Sequence, residues 1–148
     1  MKNYPSCIVV ADGSRARFFS CTGRNQPLIL TESHDNAAAR LKTREMVSDG
    51  PGKTQTSDPL SSPGEIEEDR FAKRLAALLA RYGHEGHFKS LVLIASPRFL
   101  GTLRSELPRS TRHMVCLELA KNWTSCSPET IQERLRHLEE LPLLKAAA

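Results

Sequence analysis

Two runs, Cys7-Ile8-Val9-Val10-Ala11 and Leu91-Val92-Leu93-Ile94-Ala95, are apolar at every position. Side chains of a strand alternate between faces, so a strand with no polar position has to be covered on both sides. Runs this short do not cross a bilayer, and their β-branched content favours strand over helix. Any fold for this chain therefore needs two interior strands in a sheet with a layer above and a layer below.

The segments between and around these runs supply the rest of the architecture. Asp12-Gly13-Ser14 is a turn signal, with glycine available for a positive φ. The stretch from Arg15 to Cys21 then returns as a second strand, and 22–27 (with Gly23 and Pro27) turns the chain into a third at 28–32. These connections are too short for a crossover, so the three strands pair antiparallel. A short helix over 37–45 is the reading of the next segment. From 48 to 63, Gly, Pro, Ser, Thr and Asp replace apolar residues almost completely, which predicts a long polar loop that is mobile until a partner holds it.

Ser62-Pro63-Gly64-Glu65 offers an N-cap, a proline at the first helical position and a capping-box glutamate. Ile66, Phe71, Leu75, Leu78, Leu79 and Tyr82 follow at helical spacing, Glu65, Glu67, Glu68 and Asp69 complement the helix dipole, and Gly83 reads as the stop. After the strand at 91–95, Ser96-Pro97 caps a helix to about Leu107, halted by Pro108. A fifth strand follows at 113–119, and Ser127-Pro128-Glu129 opens a last helix to about Leu141. The order β-β-β-α-β-α-β-α, with crossovers through helices onto parallel strands, predicts a mixed five-stranded sheet flanked by helices. That is the order of the ribonuclease H-like fold. At 148 residues, with 39% hydrophobic and 26% charged residues, one α/β domain spanning 1–148 accommodates the whole chain.

Met1 to Pro5 lead directly into the first strand with no signal-peptide core, which predicts a cytoplasmic protein without membrane insertion. Cys7, Cys21, Cys116 and Cys126 lack metal-type spacing and read as reduced thiols behaving as small hydrophobes. No cofactor is implied.

No catalytic set is complete. Asp12 ends the first strand where nucleases of this fold place a carboxylate, and Glu65 to Asp69 offer others. The position after the fourth strand, however, carries Ser96-Pro97-Arg98 rather than an acid. Two-metal hydrolysis needs several carboxylates converging on ions about 4 Å apart, so no metal site is expected and Asp12 reads as a turn former. His84 and His87 lack partners for a metal site. Ser6, Ser14 and Ser96 lack the context of a nucleophile elbow. Gly50-Pro51-Gly52-Lys53-Thr54 resembles a phosphate loop without completing one. The basic residues are more suggestive. Arg98 falls in the first turn of a helix, where backbone N–H groups favour an anion. Arg104, Arg109 and Arg112 are near it in sequence, and Arg15, Arg17, Arg40, Lys42, Arg44 and Lys53 belong to the meander and loop. A scattered solvated surface and a single phosphate-tracking face both fit this pattern. The formal charge of +4 permits a polyanionic partner without requiring one.

The stretch from Val9 to Phe19 and that from Ser96 to Arg104 together resemble the bacterial host-attachment protein family, whose members are described as required for attachment to host cells. Phe71 to Ala76 and Lys121 to Thr124 also fall where family segments fall, so the likeness covers nearly the whole chain. That family is in turn similar to the central domain of archaeal and eukaryotic release factors, which has a ribonuclease H-like fold and presents a Gly-Gly-Gln loop to peptidyl-tRNA. Here the corresponding loop holds Gly50, Gly52, Lys53 and Gln55 but no Gly-Gly-Gln. The resemblance implies an RNA- or ribosome-associated accessory factor in which peptidyl-tRNA hydrolysis is vestigial or absent. Its partners would be tRNA, rRNA or the ribosome, reached through Arg15, Arg17, Lys53, Arg98 and Arg104. A cytosolic interaction protein, dimeric or not, that contributes indirectly to attachment is the alternative. A divergent nuclease ranks third.

Overall fold

The computed structural model describes residues 6–22, 26–36 and 63–137. The short helix read over 37–45 and the far end of the last helix lie outside the described residues, as does the polar loop read over 48–63 except for Pro63, which already begins the first helix.

Strands β1 (Ser6–Ala11), β2 (Arg15–Cys21), β3 (Ile29–Asp35), β4 (Ser90–Ala95) and β5 (Val115–Ala120) form one sheet in the order β3-β2-β1-β4-β5. β1 pairs antiparallel with β2 and parallel with β4, making it the pivot between an antiparallel meander and a parallel half. β2 and β3 are antiparallel, β4 and β5 parallel. The mixed five-stranded sheet expected from the sequence is present. Helices α1 (Pro63–His84), α2 (Pro97–Glu106), α3 (Arg109–Arg112) and α4 (Pro128–Arg136) complete the described elements.

Alternation along the strands divides the interior in two. Val9, Ala11, Ala16, Phe18, Leu91, Leu93 and Ala95 face α1 and α2, in one cluster with Phe71, Leu75, Leu79, Phe99 and Leu103. Ile8, Val10, Phe19, Val92 and Ile94 face the other way, clustering with Trp123 and with Ile131 of α4. Val10 and Ile94 are 0% exposed on this second face, and Leu91 and Leu93 are 0% exposed on the first. Both apolar runs are thus interior strands, as a run without a polar position demands.

Four boundaries differ from the sequence reading, each for a local reason. The third strand runs to Asp35 rather than Glu32, because a bulge beside Phe18/Phe19 shifts the register and lets Ser33, His34 and Asp35 keep pairing with β2. Leu28 is buried but lies before the strand. Pro108 stops α2 and also serves as the N-cap of α3, a one-turn helix that delays the fifth strand to Val115. The N-terminus of α2 relies on Pro97, since the Ser96 side chain makes no capping bond, whereas Ser127 Oγ does accept the Thr130 N–H at 3.1 Å.

The fourth difference concerns glycine. Helix α1 ends at His84 rather than at Gly83. Gly86 takes φ +82°, its N–H donates to the Gly83 carbonyl at 3.1 Å, and the His87 N–H donates to the Tyr82 carbonyl at 3.0 Å. This pair of bonds is a Schellman motif, which needs a left-handed residue after the helix. Gly83 has a different role, because a Cβ there would meet Met114 Sδ at 2.9 Å. Gly86→Ala, which meets no neighbour but keeps the strained φ, is expected to lower stability by about 1 kcal/mol. Urea unfolding with an unchanged slope is the measurement that checks this.

Candidate functional site

The carboxyl ends of the parallel strands β1, β4 and β5 open onto one edge of the sheet, where Asp12, Ser96 and Lys121 follow them directly. Asp12 Oδ1 accepts the N–H groups of Ser14 at 2.7 Å and Arg15 at 3.0 Å, fixing the β1–β2 turn. Its other oxygen lies 3.0 Å from the Thr124 hydroxyl, whose single proton is shared with Asn122 Oδ1 at 2.8 Å, and this contact brings the turn against the loop after β5. Asp12 is a turn former, and both of its oxygens are engaged inside the fold.

Gly13 packs against Glu68 of α1, so closely that a Cβ there would collide with the Glu68 carboxyl group. Asn36, 2% exposed, secures the same junction by donating to the carbonyls of Gly13 at 2.9 Å and Glu67 at 3.2 Å. A buried amide is costly unless its polar atoms are paired, and here the pairing joins the turn to the first turns of the helix. Nothing in the local sequence singles out Asn36; it lies at the edge of a strand in an ordinary polar context.

Arg98 of α2 reaches across to α1. Its guanidinium lies 3.9 Å from Glu65, 3.4 Å from Glu68 and 3.6 Å from Asp69. Burial pushes the Glu68 carboxyl upward, and although Arg98 opposes this, Glu65, Asp12 and Asp69 add like charge and keep the pKa raised. A protein-borne cation thus stands among the acids considered for metal binding. Among the described residues no group of three or more His, Cys, Asp or Glu side chains is placed to hold a metal ion.

Among the described residues, the candidates Arg15, Arg17 and Arg104 do not converge on Arg98. Arg17 belongs to the opposite face of the sheet. Its Nη2 donates to the carbonyls of Thr124 at 2.6 Å, Cys126 at 2.7 Å and, more distantly, Trp123 at 3.3 Å, while the guanidinium lies 5.4 Å from the Phe19 ring centre. Burial, then the neighbouring Arg15, hold its pKa below the usual arginine value. Arg104 donates to Glu118 of β5 at 2.8 Å. Arg15 is exposed at the start of β2. Gly50, Gly52, Lys53 and Gln55 lie outside the described residues. His84 is the last residue of α1, and His87 pairs with Glu85 at 3.1 Å and meets the Tyr82 ring edge-on. Cys7, Cys116 and Cys126 are free thiols. Burial pushes the Cys7 thiol up to about 12 and raises that of Cys116, which disfavours their nucleophilic thiolates at neutral pH.

Residues 7–135 match the family described as "Protein required for attachment to host cells". The chain belongs to this host-attachment family. The match begins within β1 and ends within α4, so it takes in all of the sheet but Ser6, together with the Arg98–acid cluster. Among curated proteins, an uncharacterised protein of Rickettsia prowazekii (strain Madrid E) is 25% identical over 132 residues, covering 84% of the host-attachment chain and 88% of its own length. Among solved structures, an archaeal translation termination factor is 12% identical with a TM-score of 0.44. A second archaeal protein is likewise 12% identical, with a TM-score of 0.46. Each comparison covers 97% of the host-attachment chain but 41% of the solved one, so the chain spans about two fifths of their length.

Proposed function

We propose that this member of the host-attachment family acts by binding rather than by catalysis, as an RNA- or ribosome-associated accessory factor. The observation that carries the non-catalytic part is Arg98: a guanidinium occupies the acid cluster that a metal-dependent nuclease would reserve for its ions, and Asp12 is committed to the turn and to Thr124. A metal would have to displace an attached cation to enter.

The RNA part draws on the remaining charge. From residue 70 to the end of α1 there is no acidic residue, and Lys73, Arg74 and Arg81 are exposed there. Arg109 and Arg112 are exposed on α3, and Arg15 on β2. Exposed cations of this kind neutralise phosphates and release counterions. Arg98 remains in the candidate set, but a phosphate would compete there with three carboxylates, so Arg15 and Lys53 are the stronger choices.

The test is binding of a labelled tRNA across a salt series. Wild type is expected to bind saturably at low salt, with weak sequence preference. Arg15→Ala and Lys53→Ala should each reduce the salt slope by roughly 0.7 to 0.9 for every phosphate no longer neutralised. Negligible wild-type binding at low salt sinks the RNA reading. A second reading then stands, favoured by the internal engagement of Arg17, Arg98 and Arg104: a cytosolic interaction protein whose contribution to attachment is indirect. Cleavage of an RNA–DNA hybrid that requires magnesium and is abolished by Asp12→Asn would instead restore the nuclease.

A further inference from the structure

The sheet has two outer strands, β3 and β5, and among the described residues no strand pairs with the free edge of either. An open edge presents unpaired N–H and C=O groups to other chains, so edge strands normally carry charge, a bulge or both. β3 meets this expectation. After Ile29 and Leu30 it is polar at every position from Thr31 to Asp35, with two acids, and its bulge at Thr31 breaks the regular edge.

β5 does not meet it. Five of its six residues are apolar: Val115, Cys116, Leu117, Leu119 and Ala120. Its own irregularity falls at Cys116, so Leu117 to Ala120 pair regularly with Val92 to Ala95 of β4. A strand this apolar in the parallel half of a sheet belongs to the interior. Leu91 to Ala95 of β4 are buried accordingly, whereas Val115 to Leu119 are only half-buried. The composition of β5 is that of a strand with a neighbour on each side.

The one charge on β5 indicates which neighbour fits. Alternation places Leu117 and Leu119 beside Val92 and Ile94 on the face that α4 covers, and Glu118 beside Leu93 on the face of α1 and α2. There Glu118 accepts a bond from Arg104 Nη1 of α2 at 2.8 Å. This bond uses one of the five N–H groups of a guanidinium, and Arg104 is 53% exposed. The edge therefore offers leucines on one face and an ion pair with spare donors on the other, a combination complementary to itself.

We propose that a second copy of this chain completes the edge, β5 pairing antiparallel with its counterpart about a two-fold axis at Glu118. In this register Leu117 lies across from Leu119 of the partner subunit, and the dyad repeats the contact, so two leucine pairs leave water together. The two Glu118 carboxylates meet at the axis, where like charges alone would repel. Each brings its own Arg104, which closes a ring of alternating charge. Lys121, exposed after the strand, falls at the ends of the ribbon, where solvent screens it. The inference is independent of the RNA reading. An interface built around one strand pair is small, so its Kd should be on the order of 10 μM.

The experiment is sedimentation equilibrium of the full chain, from well below that Kd to well above it, with amide hydrogen exchange at both ends of the range. The mass should rise from one chain to two. The β5 amides not bonded to β4 should exchange more slowly in the concentrated sample, while those of β3 exchange alike in both. Arg104→Glu and Glu118→Arg should each weaken association at least about tenfold, since each leaves four like charges at the axis. The double swap Arg104→Glu with Glu118→Arg should return to within about threefold of wild type. A monomer throughout, or a dimer whose β5 amides ignore concentration, would overturn the proposal. So would β5 edge amides already protected in the monomer, which would mean that the chain covers its own edge, and so would folded single variants that associate like wild type. If a single variant does not fold, the wild-type mass and exchange series still decide.

Discussion

Arg17→Ala is expected to lower the unfolding free energy by about 3 kcal/mol, a change far larger than a surface arginine normally produces. Two of the carbonyls it serves belong to buried residues, Trp123 at 9% and Thr124 at 4% exposure. Charge-assisted bonds contribute about 1.5–3 kcal/mol each, and truncation leaves the acceptors without their donor. Part of the gain is offset already, because Arg17 Nε is buried without a partner. The loop from 123 to 126 leads into α4, so the substitution loosens the cover of the second face as well as the turn itself. Arg17→Lys should recover little, since one ammonium lacks the planar fork that spans separate carbonyls. Chemical denaturation of the three proteins checks both statements; a Lys variant as stable as wild type would mean that charge alone matters.

Leu93→Ala is expected to cost about 3–4 kcal/mol. Leu93 is 0% exposed, sits on the interior strand β4, and belongs to the cluster that joins the sheet to α1 and α2. The cavity it leaves is enclosed by regular elements on every described side, so little relaxation is available. The melting midpoint should fall on the order of 10 °C for a chain of this size. Leu30→Ala is the control: that residue, on β3, is 48% exposed and should change stability by roughly 0.5 kcal/mol or less. Similar losses at both positions would show that β4 is not an interior strand.

The sheet was legible because strand alternation and turn chemistry are local properties. Cys7 to Ala11 and Leu91 to Ala95 had no polar position to show to water, and both are interior strands of the sheet. What escaped depended on partners distant in sequence. Arg98 and Glu68 are 30 positions apart and meet because α1 and α2 pack together, a geometry no window of sequence contains. Arg17 left a clue, since strand alternation puts it on the same face as Phe19, and a buried Phe19 implies a covered arginine. Gly83 and Gly86 are indistinguishable by type; only the φ of Gly86 and the proximity of Met114 to Gly83 separate the stop from the packing residue. Pro108 read as an end and turned out to be an end and a beginning.

The pivot position of β1 also dictates an order of assembly. Its pairing with β2 closes a turn of a few residues, whereas its pairing with β4 brings Ser6 to Ser90, 84 positions along the chain. Loop closure makes the second pairing the slow one, so the meander collapses early and the parallel half docks late. During synthesis from the N-terminus, one hydrogen-bonding edge of a strand apolar from Cys7 to Ala11 is then without its partner until residue 95 has emerged. An exposed edge of that kind is a template for pairing with another chain. The interval between translating β1 and translating β4 is therefore the point at which this protein is most exposed to aggregation, and the point at which a chaperone would have most to protect.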